Sequence, residues 1–281
     1  MRKRAIARIV KNEINNRGLT KNYSFIDLMR CLAMPAQTDH PCFKQPESNE
    51  ITVWKYMDFT KFVSLISSGK LFYCRADKFR DPYEGTYPIK NREADDLMFA
   101  SVPPGQRASI ANRLYEYFKL TRQWTYISCW HINEFESAAM WDLYARTEEA
   151  IAIETTYERL ASSVSGHPHI GLVEYINYQE DYIPVDNVFY PYLFKRKSFE
   201  HEKEARILFQ EHPTENDDTD TPLINECTGK QVEVNLDVLI KSIRICPSAP
   251  SWFYELVEEI KNKYEITAPV VKSDLYSDPV L

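Results

Sequence analysis

The sequence predicts an α+β domain in which a mixed or antiparallel split sheet is flanked by helices, with a helical extension at the N-terminus. Three observations lead there. The composition is globular, with 44% apolar and 27% charged residues. A chain of 281 residues is long enough to bury a substantial core. Strand-like and helix-like segments follow one another irregularly, without the strict alternation of a doubly wound parallel sheet.

Residues 1–50 read as the extension. Ile6, Ile9, Val10 and Ile14 share one helical face, and Phe25, Leu28, Met29 and Leu32 mark a second short helix. Pro35 to Pro41 is polar and bounded by prolines, as a linker is. The α+β domain, residues 51–281, opens with the strand-like Ile51 to Tyr56. Asp58 can cap a helix that buries Phe59, Phe62, Val63 and Ile66, and Gly69 stops it. Lys70 to Arg75 is a second strand, followed by the turn Phe79-Arg-Asp-Pro-Tyr-Glu-Gly85. Pro82 and Asp81 should make that turn rigid. Residues 91–120 are mostly helical, with Ile110, Leu114, Tyr117 and Phe118 as the buried stripe. Trp124 to Trp130 is a strand, and Glu136 to Ala145 a helix with Met140, Trp141 and Tyr144 on one face. Further strands are expected at 150–154, 171–175, 205–209, 232–235 and 240–246, and a last helix around Phe253, Leu256, Val257 and Ile260. Six acids and no cation between Glu211 and Glu226 point to an exposed loop over 211–222.

Charge is unevenly spread. Residues 1–21 carry seven Lys or Arg against Glu13, a net +6; with −7 for the whole chain, the remainder carries −13. The basic segment reads as a solvated helix or as an arm for an acidic partner. No apolar stretch follows it, so it does not read as a secretion signal. The acidic body argues against broad non-specific DNA binding. No run of about 18 apolar residues exists, so no membrane span is expected. The cysteines at 31, 42, 74, 129, 227 and 246 form no C-x-x-C pair and fit no zinc module. A reducing, cytoplasmic setting is the reading, and no metal site is expected.

Nothing resembles a G-x-G-x-x-G turn, a phosphate loop or a G-x-S-x-G elbow. Three clusters carry chemistry instead. Trp54-Lys55-Tyr56 sets a cation among aromatics on a strand, which suits a phosphate or ribose; an edge-strand lysine is the plain alternative. Ser128-Cys129-Trp130 places a small hydroxyl beside an indole, a pairing that suits a flat amide ring. In Phe199-Glu-His-Glu-Lys-Glu-Ala-Arg206, Glu200, Glu202 and Glu204 have period 2 and project to one side of an extended chain. Such carboxylates suit sugar hydroxyls and an oxocarbenium-like transition state. The plain alternative is a solvated face balanced by Arg196, Lys203 and Arg206.

Taken together, Trp54-Lys55-Tyr56, Gly69-Lys70-Leu71, Phe79-Arg-Asp-Pro-Tyr-Glu84, Ser128-Cys129-Trp130, Met140-Trp141-x-x-Tyr144-Ala145, Lys195 and Phe199-x-x-Glu202-x-Glu204-x-Arg206 resemble the bacterial family called domain of unknown function 2971. The resemblance covers residues 51–246. The layout is similar in turn to that of ADP-ribosyltransferases, which implies an ADP-ribosyltransferase-like fold and NAD as substrate. On that resemblance Lys55 replaces the usual Arg or His at the NAD phosphate or ribose. Ser128 is the middle-strand serine, Glu204 the catalytic glutamate, and Glu202 the acid that orients the acceptor. Tyr56, Arg75, Tyr83, Trp130 and Tyr144 complete the NAD surroundings.

The implied function is an NAD-dependent ADP-ribosyltransferase-like effector, a bacterial toxin or phage-defence protein in kind, acting on a protein or nucleic-acid acceptor. Two alternatives stay open. One is a non-catalytic nucleotide-sensing or protein-interaction domain. The other is a metal-dependent nuclease, for which Asp77, Asp81 and Glu84 supply acids. The transferase reading makes a geometric demand: Lys55, Ser128 and Glu204 should line one pocket, walled by Tyr56, Trp130 or Tyr144, with Tyr83 or Glu84 facing the same cleft.

Overall fold

A computed structural model describes residues 36–93, 103–144, 147–211 and 226–279. The helices expected before residue 36 and the acidic stretch from residue 212 lie outside the described residues. The described elements follow the expected order closely. β1 (Thr52–Asp58) runs into α1 (Phe59–Ser68) and β2 (Lys70–Arg75). α1 buries Phe62, Leu65 and Ile66, and ends at Gly69, whose φ of 62° is left-handed. Then come α2 (Ile89–Glu93), α3 (Pro104–Thr121), β3 (Thr125–Ile132), α4 (Ala138–Tyr144) and β4 (Ala150–Thr156). α5 (Tyr157–Ser163), β5 (His169–Leu172), β6 (Glu174–Ile176), β7 (Phe194–Arg196) and β8 (Glu204–Gln210) follow. The chain closes with β9 (Gly229–Glu233), α6 (Leu236–Leu239), β10 (Ser242–Ile245), α7 (Ser251–Lys263) and β11 (Val270–Lys272).

The result is a mixed α+β architecture around a mostly antiparallel open sheet flanked by helices. β3 is its branch point. On one edge β8 pairs with β3 along its length, from Thr125↔Gln210 to His131↔Glu204. On the other edge two strands share the space: β2 takes Tyr126 and Ile127, and β1 takes His131 and Ile132. The sheet therefore forks. One arm continues β1-β4-β10-β11, the other β2-β9, and beyond β8 lies β5. β11 joins β10 in parallel, as β6 joins β7 in a separate two-stranded ribbon.

Alternation of side chains divides the sheet into two faces. Val53, Met57, Tyr126, Trp130, Ile153, Ala205 and Ile207 bury the first face under α1, α5 and α7. On the second face Trp54 and Tyr56 pack with Met140 and Trp141 of α4, while Ile127 and Leu208 pack with Ala76, Tyr192 and Leu193.

Three readings of the sequence are corrected. The linker-like stretch is docked on the domain rather than free. Ala36 and Phe43 are buried, Ile170 N–H donates to Gln37 O (3.1 Å) and Leu172 N–H to Lys44 O (2.9 Å). In α3 the buried residues are Ala111, Phe118 and Thr121, while Ile110 and Tyr117 are exposed, because Thr121 Oγ1 lies 2.9 Å from the buried Tyr192 hydroxyl and Phe118 packs on Tyr87. The charged run before β8 is not extended: Lys197–Glu202 is a 3-10 turn and Lys203 takes a left-handed φ of 39°.

Candidate active site

Lys55 reaches into the fork. Its Nζ donates to Ser128 Oγ (3.2 Å) and to the Cys129 carbonyl (2.8 Å), filling a place where neither β1 nor β2 reaches β3, and sits 5.6 Å from the Trp130 ring centroid. Burial of the amine pushes its pKa down, against the pull of Cys129 and Glu204. Two of the three residues asked to converge, Lys55 and Ser128, thus meet.

Glu204 does not join them. It pairs with His131 across the β3–β8 ladder and Arg206 pairs with Cys129, whereas Ser128 pairs with Ile207 of the first face. Glu204 and Arg206 therefore project from the second face, and the single pocket expected around Lys55, Ser128 and Glu204 is not formed. The reason is the pleat: opposed residues share a face, and Ser128 and Glu204 stand on opposite sides of the period.

On that second face the charges form one buried network. Arg206, with no exposed surface, donates through its fork to both oxygens of Glu84 (2.9 Å each), through Nε to Glu204 (2.6 Å), and to Tyr192 O (2.7 Å). Lys195 Nζ donates to Glu204 Oε1 (2.6 Å) and Glu202 Oε2 (2.5 Å), and lies 3.2 Å from Glu84. Tyr175 hydroxyl accepts from Glu204 N–H, and His131 Nδ1 lies 2.7 Å from Glu202 O. Beside it, Arg196 forks onto Asp81 (2.8 and 3.2 Å) and lies over the Tyr83 ring at 4.3 Å.

The two glutamates are driven apart. Glu204 is desolvated, yet the charges of Arg206 and Lys195 overcome this and hold its carboxyl well below the usual range. Glu202 is pushed up to about 7 by burial and by the neighbouring Glu204, against Lys195. Glu202 also has the more open side chain, 13% exposed against 5%. Tyr144, half-exposed at the end of α4, has its hydroxyl pKa raised by desolvation and by the charges of Glu202 and Glu204.

The remaining candidates scatter. Trp130 is buried on the first face. Tyr56 is buried on the second, where its hydroxyl accepts from Ser137 N–H (2.8 Å) and its ring meets Trp141 edge-on. Arg75 forks onto Asp77 (2.5 and 3.0 Å). The turn at 79–84 is tied as expected, with Asp81 Oδ1 accepting from Tyr83 N–H (3.0 Å). Glu84 faces Arg206 rather than Lys55. The acids of the nuclease reading are thus each paired to an arginine, and among the described residues no three His, Cys, Asp or Glu gather as metal ligands would. Cys74 and Cys129 are half-buried and their thiol pKa values are raised by that burial.

Sequence reasoning gave Lys195 and Arg206 no role at the site, although both stand among the residues that carry the resemblance; Glu84, expected to face the cleft of Lys55, partners Arg206 instead. Among the described residues two cavities lie elsewhere, one beside Gly85 and Arg122, the other beside Trp141 and Cys246. Among the described residues no helix is long and apolar enough to cross a membrane. No family model, curated protein or solved structure matches the chain.

Proposed function

We propose that this chain is an NAD-dependent ADP-ribosyltransferase-like enzyme in which Glu202 and Glu204 divide the work. The observation that carries the reading is the pair itself: two carboxylates share Lys195, and their environments push one pKa up and the other down. Such separation is how two like groups acquire two roles. Glu204, permanently ionised, is the anchor and the negative charge against which a ribosyl cation develops as nicotinamide leaves C1′. Glu202, half-protonated near neutral pH, takes the proton of the acceptor nucleophile as its bond to C1′ forms. Tyr144 offers the exposed ring beside them. Lys195 fixes both carboxylates, and Arg206 with Glu84 fixes Glu204.

The test follows nicotinamide release and, by mass spectrometry, ADP-ribose adducts in cell extract supplied with protein and NAD. Transfer should rise with pH through about 7 as Glu202 loses its proton. Glu202→Gln should remove that limb and damage transfer more than nicotinamide release. Glu204→Gln, with folding verified by circular dichroism, should cut both about a hundredfold or more. Neither product from wild type sinks the reading. That result would favour a nucleotide-sensing or protein-interaction domain, which the position of the cavities away from Lys55, Ser128 and Glu204 supports.

A further inference from the structure

The cavity beside Gly85 has a volume of 330 Å³ and a lining of unusual chemistry: three cations, Arg92, Lys119 and Arg122, and three rings, Tyr87, Tyr115 and Phe118. Among the described residues no acid lines it, in a chain of net charge −7. Arg92 donates to Asn112 Oδ1 (3.0 Å) and lies 3.6 Å over the Tyr115 ring, with no carboxylate on it among the described residues. Lys119 meets Glu116 at 3.9 Å, but these side chains are 73% and 76% exposed, so the pair neutralises little. Tyr87 packs on Phe118 with ring centroids 4.7 Å apart.

Two donors in its wall are left unmatched. Among the described residues Arg122 Nε and the Tyr87 hydroxyl are buried without a hydrogen-bond partner. Buried polar groups are rarely left so, and each needs an explanation. Arg122 follows directly on Thr121, whose bond to Tyr192 fixes the end of α3, so the guanidinium is held by a rigid support. The volume lies within the range of small-ligand sites, at its lower end.

We propose that this cavity binds a nucleoside monophosphate. The base lies among the rings and the Arg92–Tyr115 stack, as bases do on aromatic and guanidinium planes. The phosphate takes Arg122 and Lys119, with the Tyr87 hydroxyl as a neutral donor, since guanidinium and ammonium groups match phosphate oxygens. The site is separate from the Glu202–Glu204 pair and does not depend on its role.

The experiment is calorimetric titration of the full chain with AMP, adenosine and inorganic phosphate. AMP should bind at least tenfold more tightly than either fragment. Arg122→Gln and Arg92→Gln should each weaken AMP about tenfold, the loss of one charged contact. If Arg122→Gln does not fold, the more exposed Arg92→Gln and Lys119→Gln carry the comparison. No binding of AMP at millimolar concentration overturns the proposal. So does AMP affinity unchanged in the folded variants, or phosphate binding as tight as AMP.

Discussion

At the scale of single residues, Glu202 links protonation to folding. Its folded pKa of about 7 stands above the ordinary value of 4.5, so between those values the folded chain holds a proton the unfolded chain has released. Stability contributed by this group therefore falls as pH rises through that window and is level above it. Glu204, shifted the opposite way, gives stability that is lost only as the solution becomes acid. The expected outcome for Glu202→Gln is a melting temperature that gains on wild type as pH rises from about 5 to about 8. A difference between the two proteins that stays constant with pH would contradict the assigned shift. Lys55 beside Ser128 was expected from the resemblance, since the two strand patterns by themselves say nothing of which strands lie side by side. The complete burial of Arg206 was not, because a charged residue reads as solvent-facing and this one has no exposed surface.

Elements show where periodicity misleads. Period 2 over Glu200, Glu202 and Glu204 assumes an extended chain. The 3-10 turn and the left-handed Lys203 break that register, and they bring Glu202 and Glu204 onto one amine by folding back rather than by alternation. α3 is legible as a helix but its inner face is not, since partners outside the helix select it. α5 was missed, although Thr156 caps it through a bond accepted from Arg159 N–H. The loop 79–85 is the opposite case, where sequence alone set the turn chemistry. Gly85 closes it with a φ of 70°, and a Cβ there would stand 2.5 Å from Cε1 of the buried Tyr192 ring. Gly85→Ala should therefore cost about 2 kcal/mol or more, from strain and overpacking together. Urea unfolding measures it; a midpoint unchanged from wild type would mean the loop can move.

At the scale of the whole molecule, a mixed or antiparallel split sheet was foreseeable from irregular alternation, but its pairings were not. β3 and β8 are joined across 73 to 85 residues, and no local pattern encodes which strands share an edge. The fork has a further consequence. A simple open sheet has two edges, but a sheet with a branch has three, here β11, β9 and β5. An uncovered strand edge is a template for another chain. On β5 the Ile170 and Leu172 amides are taken by Gln37 and Lys44, the Ile170 carbonyl by the Gln45 side chain (2.8 Å), and Phe43 anchors the segment. Residues 37–45 thus act as a guard against self-association. Detaching them with Phe43→Asp and Gln45→Ala should give species that grow with concentration in light scattering. Unaltered size would show that the third edge protects itself.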